Sequence, residues 1–190
     1  MVTIIDYGIG NLRSIEKAFQ MVGAEVLRTD DGSAVAAADR LVLPGVGAFG
    51  SCIDEIRQRD LEAPIRDAVA AGTPFLGVCV GMQLLFEVGH EKGTHEGLGL
   101  LPGRVRHFHD IEGADEDLVV PHMGWNALAP TREHPVLDGL GDDPYVYFVH
   151  SYHAVADTAD DVLATTTYGH SFPAVVQRDN ILGVQFHPEK

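Results

Sequence analysis

Apolar residues fall in short blocks along the first half of the chain, and the blocks alternate between two periods. Val2–Tyr7 reads as a buried strand, and Gly8-Ile9-Gly10-Asn11 as the turn that follows. Leu12, Ile15, Phe19 and Val22 recur at helical spacing until Gly23 stops the helix. Glu25–Thr29 is a second strand, Ser33 caps a short Ala-rich helix, and Arg40–Leu43 is a third strand ended by Pro44. Helices are expected over Gly50–Arg57 and Glu62–Ala71, the latter stopped by Gly72. Phe75–Val78 is a fourth strand. Met82, Leu84, Leu85 and Phe86 then continue as a helix with no breaker before Gly89. Strands alternating with helices predict βαβ units and a parallel sheet.

The second half changes character. Val105–Phe108, Leu118–Val120, Tyr145–Val149, Val162–Thr167, Ala174–Gln177 and Ile181–Phe186 all read as strands with few helices between them. Hairpins and antiparallel pairing are expected there, with Gly113–Asp117 as a solvated hairpin tip. The fold class is therefore α/β: a mostly parallel central sheet with helices on both faces, extended by antiparallel strands in the second half. No repeat or linker divides the 190 residues, which are expected to form one domain spanning 1–190.

Charge and cysteine content narrow the function. Thirteen basic and 28 acidic side chains give a net charge of −15. Nucleic acid and anionic membranes both need basic patches, so neither is expected as a partner. No apolar run approaches a membrane span, and Met1–Asp6 lacks the basic flank and long apolar core of a signal peptide. Cys52 and Cys79 are too few for a disulfide framework, so a reducing cytoplasm is expected.

The chemistry is expected at Gly77-Val78-Cys79-Val80-Gly81. Gly-x-Cys-x-Gly between a strand and a helix is the thiol version of the nucleophile elbow, where bulky neighbours would clash. The turn puts Cys79 at a helix N-terminus, whose free N–H groups and dipole favour thiolate. Cys79 as a small buried hydrophobe is the plainer alternative. A thiolate needs a base, and the base needs an orienting partner. His187-Pro188-Glu189 closes the last strand and can supply both, since Pro188 biases His187 to extended geometry.

Gln83 and Glu87, four residues apart, would share one face of the elbow helix and could hold an α-amino acid head group, or be a solvated face. Gly45-Val46-Gly47-Ala48-Phe49-Gly50 matches G-x-G-x-x-G but lacks the acidic residue about 20 positions on. A loop offering N–H groups to an oxyanion suits it better than a nucleotide site. Pro121–Asn126 and His150-Ser151-Tyr152 are core with satisfied polar groups or a site edge. Ten histidines raise the question of a metal. His107 and His109 share a strand face, but no further ligand completes a zinc-like set, so no metal and no cofactor are expected.

Gly77-Val78-Cys79-Val80-Gly81-Met82-Gln83 together with His187-Pro188-Glu189 resembles the class I, triad-type glutamine amidotransferases, whose fold is flavodoxin-like. Asp6–Leu12, Pro44–Phe49, Pro121–Asn126, Tyr147–Tyr152 and His187–Lys190 are similar to the branch that forms the glutaminase subunits of imidazole glycerol phosphate synthases. The resemblance implies Cys79, His187 and Glu189 as catalytic residues and backbone N–H groups of Gly47 and Val80 as an oxyanion hole. It implies Gln83, Glu87, Ser151 and Tyr152 as the holders of L-glutamine. It further implies a heterodimer with a cyclase of (β/α)8-barrel type, met through Asn11, His122, Trp125 and Lys190. An amidotransferase subunit of a different synthase, or a non-catalytic binding subunit of the same fold, are the alternatives. Relatives usually continue for a short segment beyond the position of Lys190, and His107–Asp117 is longer and more acidic than usual.

Overall fold

The structure is a computed structural model that describes residues 1–141 and 143–190. In the first half β1 (Val2–Ile5), β2 (Val26–Thr29), β3 (Leu41–Leu43) and β4 (Phe75–Val78) alternate with α1 (Leu12–Met21), α2 (Gly32–Ala36), α3 (Phe49–Gln58) and α4 (Glu62–Ala70). A single turn, α5 (Val80–Gln83), follows β4 directly. The second half is strands: β5 (Phe86–Gly89), β6 (His95–Glu96), β7 (Leu101–His107), β8 (His122–Ala127) and β9 (Ala129–Pro130). These are followed by β10 (Tyr145–His150), β11 (Tyr152–Ala156), β12 (Val162–Tyr168), β13 (His170–Arg178) and β14 (Ile181–Val184).

One large sheet runs in the order β2-β1-β3-β4-β14-β13-β12-β9. Its first five strands are parallel, and β13, β12 and β9 add on antiparallel. Residues of β1 and β3 are buried throughout, which is why they read as continuous apolar runs rather than alternations. The chain's last strand, β14, is inserted beside β4 with Val184 opposite Val78. That register brings the residues after β14 to the elbow after β4. A smaller sheet, β11-β7-β5-β6, and the antiparallel pair β10-β8 stand apart from the large sheet.

The expected α/β architecture is present, with corrections in detail. The helix expected through Phe86 ends at Gln83, and Phe86–Gly89 is strand β5. Leu84, Leu85 and Phe86 are fully buried, and a short apolar run does not distinguish helix from strand. The carbonyls of residues 84–87 are taken by amides of Gly97, Leu98, Gly99 and Leu101, a partner the local pattern does not reveal. Asp31, not Ser33, caps α2, accepting from the Ser33 and Ala34 amides. Leu118–Val120 is not a strand: the Leu118 carbonyl meets the His109 ring and the Val119 carbonyl accepts from the Tyr168 hydroxyl. Gly113–Asp117 lies in the connection from β7 to β8, which do not pair, so it is no hairpin tip. His122–Ala127 and Tyr152–Ala156 are strands that polar composition hid.

Histidines fill part of the core. His122 stacks on Phe148 and on Tyr168, and Phe108 packs against His150, His153 and His170. The hydrogen bonds fix the tautomers. The Tyr152 carbonyl can only accept, so His150 carries its proton on Nδ1 (2.8 Å) and accepts at Nε2 from His122 Nδ1 (3.2 Å). His122 Nε2 in turn accepts from the Asn126 amide at 3.3 Å. Burial pushes His122 and His153 down to about 4 and His150 down to about 3. A histidine with a depressed folded value contributes its stability above the ordinary value near 6.5, and loses it as pH falls from there towards the folded value. Each site is expected to cost about 1–2 kcal/mol between roughly pH 6.5 and 5. Urea midpoints followed over that window should fall steadily, and His153→Asn should flatten the fall. An unchanged slope in that variant would clear His153 of the effect.

Candidate active site

The elbow forms as the glycine spacing requires. Cys79 sits between β4 and α5 with φ +54° and ψ −111°, a strained conformation for a residue with a side chain. It is held there by its own amide, which donates to the Val184 carbonyl at 2.8 Å, and by its carbonyl, which accepts from Met82 and Gln83. The flanking glycines are needed for close approach. A Cβ on Gly77 would lie 2.6 Å from the Gly81 carbonyl oxygen, and one on Gly81 would lie 1.9 Å from that of Leu43. The end of β3 therefore packs directly against the elbow, and brings the Pro44–Gly47 loop with it.

Cys79 is buried in the sense of low exposure, yet it opens on a cavity of about 370 Å³. Val46, Gly47, Val80, Gln83, Glu91, Ser151, Tyr152 and His187 line the same cavity. Segments far apart in the chain thus converge on the cavity that holds the sulfur. Val80, as the first residue of α5, has an N–H with no intrahelical acceptor. The helix dipole expected behind Cys79 is weak, because one turn aligns too few peptides. Any charge that forms at the sulfur during reaction is left to side chains to balance.

His187 follows β14, with its amide on the Tyr147 carbonyl at 2.9 Å. Its Nδ1 meets Glu189 Oε1 at 3.0 Å, and the Asn11 amide donates to the same oxygen at 3.2 Å. The Cys79 sulfur and the Glu189 carboxylate push His187 up to about 10, against the effect of burial. Burial works to raise the Glu189 carboxyl, but the His187 and Asn11 contacts outweigh it and hold it below its usual value. At neutral pH the ring is therefore an imidazolium between a sulfur and a carboxylate.

Several expected site residues change place. Glu87 is on β5 and exposed, and its Oε2 accepts from the Gly103 amide at 3.2 Å, so it does not share a face with Gln83 or reach the cavity. Glu91, which no local pattern marks, supplies the cavity's carboxylate. Its Oε2 accepts from the Phe49 amide, the first of α3, at 2.8 Å. A carboxylate thus occupies the helix N-terminus where a nucleotide phosphate would have to bind, which disposes of the dinucleotide fingerprint. His122 is buried in the aromatic core and presents no surface to a partner. Trp125 is 60% exposed, edge-on to Tyr147, and the Lys190 ammonium lies 5.7 Å from the Tyr147 ring. Asn11 is half-buried and donates to Glu189. Gln185 carries no local signal of its own, but one step past Val184 in parallel register with Val78 places it beside Cys79.

Both N–H bonds of Gln83 are committed, one to the Tyr152 carbonyl at 2.9 Å and one to Gln185 Oε1 at 3.1 Å. Only its Oε1 remains to meet a ligand. Gln83 and Glu91 therefore present acceptors, which suits an ammonium group.

An elbow cysteine facing a histidine at the end of an adjacent parallel strand, on this sheet, defines the class I glutamine amidotransferases. The family model described as Glutamine amidotransferase class-I matches residues 3–190. The chain belongs to this family, in its branch of imidazole glycerol phosphate synthase subunits HisH. It is 73% identical over 191 residues to the HisH subunit of Salinibacter ruber, covering 100% of this chain and 88% of that one. The HisH subunit of Syntrophotalea carbinolica is 51% identical over 191 residues, with 100% and 93% covered. A crystal structure of a glutamine amidotransferase superposes with a TM-score of 0.76 at 20% identity, covering 99% of this chain and 90% of that one. PurLQS from Thermotoga maritima superposes at 0.73 with 18% identity, covering 99% and 87%; at these identities the likeness speaks for the fold.

Proposed function

We propose that the chain hydrolyses L-glutamine to glutamate and ammonia through a Cys79 thioester, and delivers the ammonia to a cyclase subunit. That cyclase, of (β/α)8-barrel type, would use it to make imidazole glycerol phosphate and aminoimidazole carboxamide ribonucleotide in histidine biosynthesis. The observation that carries the reading is the convergence of Cys79 and His187, with Glu189 behind the imidazole, on one cavity.

The thiolate attacks the side-chain carboxamide carbon of glutamine. The oxyanion that forms is stabilised by the N–H groups of Gly47 and Val80. His187 gives its proton to the departing nitrogen, which leaves as ammonia. The neutral imidazole then takes a proton from water, the hydroxide adds to the thioester, and glutamate departs as Cys79 regains its charge. Glu189 and Asn11 keep the ring oriented through both halves. Gln83 and Glu91 accept from the substrate ammonium, and the backbone of Ser151 and Tyr152 borders its carboxylate. Trp125, Tyr147 and Lys190 form the face offered to the cyclase, next to the motif that ends the site. Among the described residues no helix is long and apolar enough to cross a membrane.

The test is glutamate release and imidazole glycerol phosphate synthesis by the purified chain mixed with the cyclase, its ribonucleotide and glutamine. Failure to support glutamine-dependent synthesis, with ammonia-dependent synthesis intact, would overturn the reading. Glu91→Gln is expected to raise KM for glutamine roughly 10- to 100-fold with kcat little changed, the loss of a charge-assisted bond. A kcat defect with normal KM would place Glu91 elsewhere in the mechanism.

A further inference from the structure

Cys79 has a neighbour besides His187 that no step above uses. Gln185 is fully buried, and its Nε2 lies 3.8 Å from the Cys79 sulfur. Its backbone is fixed by its N–H, which donates to the Ala174 carbonyl at 2.9 Å. Which end of its carboxamide faces the sulfur is decided by a chain of bonds with one direction. The Tyr152 carbonyl accepts only, and it takes the His150 ring and the Gln83 amide. Gln83 must therefore point its nitrogen away from the cavity, and the second N–H of that nitrogen donates to Gln185 Oε1. With Oε1 occupied as an acceptor, the –NH₂ of Gln185 can only be the group turned to Cys79.

We propose that Gln185 is a positioning residue for the nucleophile: its carboxamide donates to the Cys79 sulfur, favouring the thiolate and aiming it into the cavity. The inference rests on the reading of Cys79 as nucleophile. It makes Gln83 bifunctional, since the side chain that meets the substrate also locks the amide that holds the sulfur. A donor in a buried, dry setting matters more here because the one-turn helix α5 supplies little dipole of its own.

The test follows alkylation of Cys79 by iodoacetamide against pH in the full chain, read by mass spectrometry. Cys52 falls on a different tryptic peptide, between Arg40 and Arg57. Gln185→Met keeps length and burial but removes the donor. It is expected to move the profile up by roughly half to one pH unit, as loss of one hydrogen bond of ordinary strength implies. In turnover, kcat should fall while KM for glutamine stays near that of the parent. Gln83→Leu frees the Gln185 amide to rotate, and should shift the same profile although Gln83 does not touch the sulfur. A Gln185→Met profile that superimposes on the parent overturns the proposal. If that variant fails to fold by circular dichroism, an unmoved Gln83→Leu profile overturns it, and a shifted one supports it. Glutamine turnover surviving in Cys79→Ser would instead remove the nucleophile reading itself, and this proposal with it.

Discussion

Cys79→Ser is expected to abolish glutamine-dependent turnover while glutamine still binds and ammonia-dependent synthesis by the cyclase continues. The expected loss is on the order of 10⁴-fold or more, because nucleophile and base act as a unit and removing either forfeits nearly all of their joint effect. The geometry makes serine a poor substitute. His187, held up at about 10 by the sulfur and by Glu189, is organised as the cation of an ion pair rather than as a base for a neutral hydroxyl. Replacing the sulfur removes the charge partner as well as the nucleophile. Elbow strain is unchanged by the swap, so the fold should hold, and binding through Gln83, Glu91 and the Ser151–Tyr152 backbone should persist. Glutamate release and ammonia-dependent cyclase activity, measured on one preparation, separate these effects. Substantial glutamine turnover in the serine variant would show that Cys79 is not the nucleophile.

Gly47→Val is expected to lower kcat for glutamine roughly 10²- to 10³-fold, the effect of losing one oxyanion donor. Gly47 has φ +83°, and a Cβ there would meet nothing within 4 Å. Space is therefore not the constraint; the backbone is. A β-branched residue is an outlier at positive φ, so the loop would settle elsewhere and carry the Val46–Gly47 peptide with it. That peptide is planar, so its carbonyl and N–H point in opposite directions. In the present structure the Val46 carbonyl accepts from the Cys52 thiol at 3.4 Å, which ties the Gly47 N–H to the opposite side. A reversal would exchange the positions of the carbonyl and the N–H, and gating of hydrolysis by a partner that favours one orientation is the expectation that follows. Gly47→Asn, which tolerates left-handed backbone, should lose much less. Steady-state kinetics with and without the loaded cyclase distinguish the two, and a Gly47→Val enzyme with nearly parental kcat would exclude this loop from the oxyanion hole.

Much of this was legible in one dimension because it is local. The elbow depends on glycines two residues either side of Cys79, and the first-half βαβ order on alternating apolar periods, both of which are local properties. The pairing of His187 with Glu189 spans two residues and survives intact at 3.0 Å. What tertiary structure alone decided are the contacts between distant segments. The apolar stretch after Gln83 reads as helix, but residues 97–101 take its carbonyls and Phe86–Gly89 is a strand. That choice removed Glu87 from the helix face and left the cavity's carboxylate to Glu91, whose partner, the Phe49 amide, is 42 residues away. His122 is expected at a partner surface, and packing turned it into the aromatic core, while half-buried Asn11 also donates to Glu189. Gln185 reaches Cys79 only because β14 inserts in parallel beside β4, a pairing across 106 residues. The amino-acid order thus determined which groups can do the chemistry. Strand insertion and burial determined which of them meet, because hydrogen bonds and desolvation act on distance in space and not along the chain.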